Sequence, residues 1–120
     1  MLQTETLKQN KDFLTLYRHG KTVVSPYVVI YVRRNRLGRN RLGITAGKKV
    51  GNAVCRNRAK RVIRAAYREA EGMLPAGIDM VIVARTAICG IRSTELAKFL
   101  TGQGLRRLNR CLSETGGKSK

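Results

Sequence analysis

The alternation of apolar and polar positions resolves the chain into short helices and strands. Around Lys8 to His19, apolar residues recur at loosely helical spacing (Leu7, Phe13, Leu14, Leu16, Tyr17) and stop at Gly20, which predicts a first helix. β-Branched and aromatic residues then dominate TVVSPYVVIYVRR. Ser25-Pro26 breaks that run into a short strand or bulge and a longer strand from Tyr27 to about Arg33. The basic turn RNRLGRNR, with Gly38 inside it, leads into a strand from Arg41 to Ala46. A helix is expected from about Ala53 to Met73, ended by LPAG, and IDMVIVAR reads as a buried strand. Ser93 is placed to cap a last helix whose Leu96, Phe99, Leu100, Leu105, Leu108 and Leu112 form one stripe, although Gly102 and Gly104 weaken it by about 1 kcal/mol each.

The order α-β-β-β-α-β-α implies a single mixed sheet with helices packed on it, an α+β fold of the two-layer α/β sandwich kind. The passage from Arg41 to Arg85 supplies a parallel strand pair if both of its strands share the sheet. With no repeats and no long linker, residues 1–120 read as a single domain, with an ordered core over about 7–112 and a disordered tail over 113–120. No apolar run reaches the ~18 residues of a membrane span and the first residues lack an apolar signal region, so the cytoplasm is the expected compartment.

The second helix carries two opposed stripes. At about 100° per residue, Arg56, Lys60, Arg61, Arg64 and Arg68 gather on one side with Asn57 among them; Cys55, Ala59, Val62, Ile63, Ala66, Ala70 and Met73 lie opposite. A face that merely meets solvent usually mixes signs. Arg56, Lys60, Arg64 and Arg68 instead repeat like charges at i,i+4, which costs a few tenths of a kcal/mol per pair, so a binding role outweighs a solvated face. Charge over the whole chain points the same way: 25 basic residues against 7 acidic ones give +18, and 15 of the basic residues fall between Phe13 and Arg68, where there is no Asp or Glu. Such a chain repels itself unless a polyanion is near, which makes nucleic acid the leading partner. A membrane surface is the weaker candidate, because 42% hydrophobic residues have a core to fill.

Side-chain chemistry sharpens this. Guanidinium groups grip two phosphate oxygens at once or stack on a base. Lys48 and Lys49 precede Gly51-Asn52; if Asn52 caps the helix, free backbone N–H groups and two ammonium groups point to one spot, although the spacing of a Walker A loop is absent. Aromatic residues supply a second signal. Phe13 and Tyr17 are i,i+4, while Tyr27, Val29 and Tyr31 alternate onto one face of a strand whose other face is aliphatic. These rings either line a cleft that stacks single-stranded nucleic acid, with Phe13 and Tyr31 the most exposed, or form ordinary core between helix and sheet. Cys55, Cys89 and Cys111, odd in number and without C-x-x-C spacing, are expected to be reduced and mostly buried. Asp12, Asp79, Glu69, Glu71 and the single His19 form no catalytic or metal-ligand pattern, which leaves a binder. A DNA-binding protein would show a helix-turn-helix or basic-zipper layout, and a ribosomal protein would not need an aromatic cleft.

KKVGNAVCRNRAKRVIR, Lys48 to Arg64, closely resembles the signature of the bacterial ribonuclease P protein family, named for the Arg56-Asn57-Arg58 tripeptide. LKQNKDFLTLYRHG, PYVVIYV and GIDMVIVAR resemble that family's first helix, central strand and later strand, so the likeness runs from about Leu7 to Arg85. It implies a ribosomal protein S5 domain 2-like sandwich with a left-handed βαβ crossover, where strand twist alone favours the right-handed form in about 98% of cases. It also implies a non-catalytic protein subunit that binds a catalytic RNA and assists removal of the 5′ leader from precursor tRNA, with Mg²⁺ held mainly by RNA and substrate and no obligate protein partner. Carried over by position, Lys48, Lys49, Asn52, Arg56, Asn57, Arg58, Lys60, Arg61, Arg64 and Arg68 would face the catalytic RNA. Phe13, Tyr17, Tyr27 and Tyr31 would receive the leader; the family often has Phe where this chain has Tyr17 and Tyr27. The loop over 33–41 and the helix after Ile91 match no fixed pattern of the family.

Overall fold

The computed structural model describes residues 4–118, with side chains as far as residue 113. Its elements are β1 (Thr4–Thr6), α1 (Asn10–His19), β2 (Lys21–Val24), β3 (Val28–Arg34), β4 (Asn40–Thr45), α2 (Ala53–Ala70), β5 (Ile78–Ala84), α3 (Ser93–Thr101) and α4 (Gln103–Lys118). The strands form one mixed sheet in the order β1-β4-β5-β3-β2, parallel from β1 through β4 to β5 and antiparallel from β5 through β3 to β2. β4 and β5 are therefore parallel neighbours joined through α2, the pair expected from the 41–85 passage, and the α+β sandwich stands.

Alternation along the strands sends side chains to two unequal cores. Val28, Ile30 and Val32 of β3, with Met80 and Ile82 of β5, meet Val62, Ile63, Ala66 and Tyr67 of α2 and the stripe Leu96, Leu100, Leu108 and Leu112. On the other face α1 covers the sheet, and buried Leu16 packs with Leu7 and Val81 against half-buried Phe13, Tyr31 and Val83.

Several expectations need correction. β1 lay within a stretch assigned no element: it is short and polar, and its placement rests on partners far along the chain. The Thr4 hydroxyl donates to Glu71 Oε2 at 2.6 Å, so the Tyr67 hydroxyl, 2.8 Å away, is the donor to Thr4 Oγ1. Burial, with the charge of Glu71 added, pushes the Tyr67 phenol up. The last helix is two helices, broken at Gly102, and Gly104 admits the Phe99 ring where a Cβ would come within 2.6 Å of Cε2. Ser93 is not its cap; Arg92 holds that position, and its N–H donates to Glu95 Oε1 at 3.3 Å. Met73 is exposed, because regular helix ends at Ala70 and a 3₁₀ turn, Glu71–Met73, swings it off the apolar stripe. None of the three thiols is fully buried. None is in a disulfide, and Cys89 is exposed on the 3₁₀ turn Thr86–Gly90. Apart from Ser113, the tail expected to be disordered falls outside the residues with described side chains. Among the described residues no helix is long and apolar enough to cross a membrane.

Candidate nucleic-acid interface

The chain enters α2 through a turn set by its sequence. Gly51 holds φ 143°, a conformation that favours glycine, and the Asn52 side chain then accepts the Cys55 N–H at 3.0 Å, the expected cap. Lys48 and Lys49 stand exposed on the 3₁₀ turn just before it. The helix presents Asn57, Arg61, Arg64 and Arg68 to solvent, with Arg56 and Lys60 half-buried along one flank. None of these cations forms an ion pair with a described residue. Arg56 Nε is buried without an acceptor among the described residues.

Arg58 stands apart from this face. Near the opposite flank of the helix, its Nη1 and Nη2 lie 3.4 Å from the carbonyl oxygens of Cys89 and Ile91, so it bridges α2 to the turn that precedes α3. Its neighbours in the tripeptide point elsewhere because one residue step rotates a helix by about 100°.

α1 sets the aromatic residues against the other face of the sheet. The Phe13 ring lies on Gly43 of β4, and Tyr17 meets Tyr31 edge-to-face, with centroids 4.9 Å apart and planes at 74°. Phe13 and Tyr31 are half-buried; Tyr17, at 41% exposure, is the open ring, contrary to the expected order. Tyr27 does not join them. β3 begins only at Val28, because the buried Ser25 Oγ accepts the N–H groups of both Tyr27 (3.1 Å) and Val28 (3.0 Å) and turns the backbone, so Tyr27 packs against the larger core.

The two surfaces meet at an edge. Among the described residues β1 pairs with β4 over Thr4–Thr6, followed by one further bond from the Leu7 N–H to the Leu42 carbonyl at 2.8 Å. Beyond it a cavity of about 160 Å³ opens between Thr6, Leu7, Phe13, Gly43, Lys60 and Arg64. A ring on one side of the sheet and two cations from the helix on the other thus line one opening. The periodicity of α2 could not show this, because β1, whose length decides where the edge opens, left no signal in the sequence.

A mixed sheet in this order, a cationic helix without ion pairs among the described residues and an aromatic cleft at its flank define a small basic α+β protein suited to bind a polyanion. The family model for ribonuclease P matches residues 1–109, and the chain belongs to the ribonuclease P protein family. It is 39% identical over 112 residues to the ribonuclease P protein component of Lachnoclostridium phytofermentans, covering 93% of this chain and 95% of that one. The component from Clostridioides difficile is 41% identical over 86 residues, covering 71% and 75%. Among solved structures, the RNase P protein from Thermotoga maritima superposes with a TM-score of 0.75 at 31% identity, covering 86% of this chain and 96% of that one. For the Staphylococcus aureus RNase P protein the TM-score is 0.73 at 27% identity, covering 89% and 96%.

Proposed function

We propose that this chain is the protein subunit of ribonuclease P, a cytoplasmic ribonucleoprotein, and that it binds the catalytic RNA through α2 and the 5′ leader of precursor tRNA through the aromatic cleft. The observation that carries this reading is the shared cavity: Lys60 and Arg64 open onto the same space as Phe13. A single strand entering there can lay bases on Phe13, Tyr17 and Tyr31 at ~1–3 kcal/mol per base while its phosphates meet the flank of α2. Asn57, Arg61, Arg64 and Arg68, with Lys48, Lys49 and the Asn52 turn at the helix start, then address the catalytic RNA, and Arg56 Nε gains the acceptor it lacks.

In this reading hydrolysis belongs to the RNA, and the protein holds the leader and reduces repulsion between two polyanions. Among the described residues no group of His, Cys, Asp or Glu could hold a metal ion. Asp12 and Asp79 both accept from Arg41, so these side chains do not fit Mg²⁺, which is assigned to RNA and substrate. No membrane and no obligate protein partner enter the reading.

The test is precursor-tRNA cleavage by RNA alone, protein alone and both, across a Mg²⁺ series. Protein alone should not cleave. It should rescue the RNA at low Mg²⁺, with a benefit that shrinks as Mg²⁺ or monovalent salt rises, because either can screen the same repulsion. Cleavage by purified protein without RNA, or rescue independent of Mg²⁺, would overturn the reading.

A further inference from the structure

We propose that the arginine-lined cavity where β3 turns into β4 is a second RNA site, one that takes backbone phosphates; this rests on the RNA-binding reading above. The cavity measures about 430 Å³ and lies between Asp12 and Thr15 of α1, Arg33 and Arg34 at the end of β3, and Arg36 of the turn. It is separate from the aromatic cleft. On α1, Phe13 and Tyr17 project to one side of buried Leu16, whereas Asp12 and Thr15 project to the other.

The turn is built, not loose. Asn35 donates through Nδ2 to the Arg39 carbonyl at 2.9 Å and to Asp79 Oδ1 at 2.8 Å, accepts the Leu37 N–H at 2.8 Å, and donates its own N–H to the Gly77 carbonyl at 2.9 Å. These bonds hold Arg36 at φ 64°, a conformation a non-glycine residue keeps only when its surroundings impose it. The result is a fixed platform for cations, and ordering it costs a ligand little.

Charge on the platform is unequally satisfied. Arg39 pairs with Glu5; Arg41 takes Asp79 through Nε (2.8 Å) and Nη2 (2.6 Å) and reaches Asp12 at 3.5 Å. Both aspartates at the cavity are thereby engaged. Arg33 stands across the ladder from Asp79, but the side chains of Arg34 and Arg36 are exposed and make no ion pair or hydrogen bond with a described residue. They are not needed to hold the turn, which Asn35, Arg41 and Asp79 already fix. Exposed arginines carried on a fixed turn beside an open cavity are suited to phosphodiester oxygens.

The test compares R34A/R36A with R61A/R64A in binding to the catalytic RNA and to precursor tRNAs of increasing leader length, over a titration of monovalent salt. Loss of two contacts should weaken binding roughly tenfold at low salt and lower the slope of log K against log salt by about 1.4, at about 0.7 per single-strand phosphate. The loss should multiply with that of R61A/R64A, since the sites are separate. A loss confined to long-leader precursors assigns the phosphates to the leader; a loss on the catalytic RNA assigns them there. Either supports the proposal. If R34A/R36A leaves affinity and slope unchanged for both RNAs while R61A/R64A weakens binding, the second site is wrong and the α2 interface stands. If both variants bind as the parent does, the RNA-binding reading falls and this site with it.

Discussion

The Phe13 ring rests on Gly43 so closely that a Cβ at residue 43 would stand 2.6 Å from both Cε1 and Cζ. Strand backbone bonded to β5 cannot yield, so the ring must. Gly43→Ala is therefore expected to displace Phe13 at a cost of about 1–3 kcal/mol in stability, the usual range for overpacking. It should weaken binding of precursor tRNA but not of mature tRNA, which has no leader, as Phe13→Ala with Tyr31→Ala should also do. Equal weakening of both tRNAs, measured by equilibrium binding, would assign the rings to structure.

Replacing Arg61 and Arg64 together by Ala should cost a few kcal/mol of affinity for the catalytic RNA, at ~1.5–3 kcal/mol per charge-assisted contact. Both side chains are exposed and off the buried stripe, so the urea midpoint should stay where it is. Unchanged RNA affinity would remove α2 from the interface.

Asp79 links folding to acid. Burial works to raise its pKa, but hydrogen bonds from Arg41 and Asn35 and the charges of Arg41 and Arg33 outweigh it and hold the carboxyl below its ordinary 3.8. Its contribution is thus complete above pH 3.8 and is lost as the pH falls through the lower folded value. Asp79→Asn should remove that part of the acid sensitivity. It should also destabilise at neutral pH by roughly 2–3 kcal/mol, less than a fully buried pair would lose, because Arg41 keeps Asp12 and some solvent. Urea unfolding of both proteins from about pH 2 to 7 measures this; parallel curves would show that Asp79 carries no linkage.

What the sequence made legible was what repeats locally. The stripe Val62, Ile63, Ala66 and Ala70 needed only helical periodicity, and the Asn52 cap needed only its place ahead of α2. Tyr27 was misplaced because alternation assumes strand geometry, which the two bonds to Ser25 Oγ interrupt one residue before β3. Arg58 could be read as a basic residue, yet its lean toward Cys89 and Ile91 depends on a turn more than 30 residues away, separations of 31 and 33. The ties within the 33–41 loop show the same limit: Asn35 holds its neighbours only because Asp79, 44 residues on, comes to meet it.

β1 carries a consequence for the order of events during synthesis. Thr4 is held by residues 63 and 67 positions later, and its strand pairs with β4 from Asn40 onward. At ~5–20 residues per second, the ribosome needs several seconds to deliver those partners, whereas a helix such as α1 forms in about a microsecond. The strand that defines the mouth of the aromatic cleft is thus written early and placed late, and the cleft acquires its rim only after α2 has emerged.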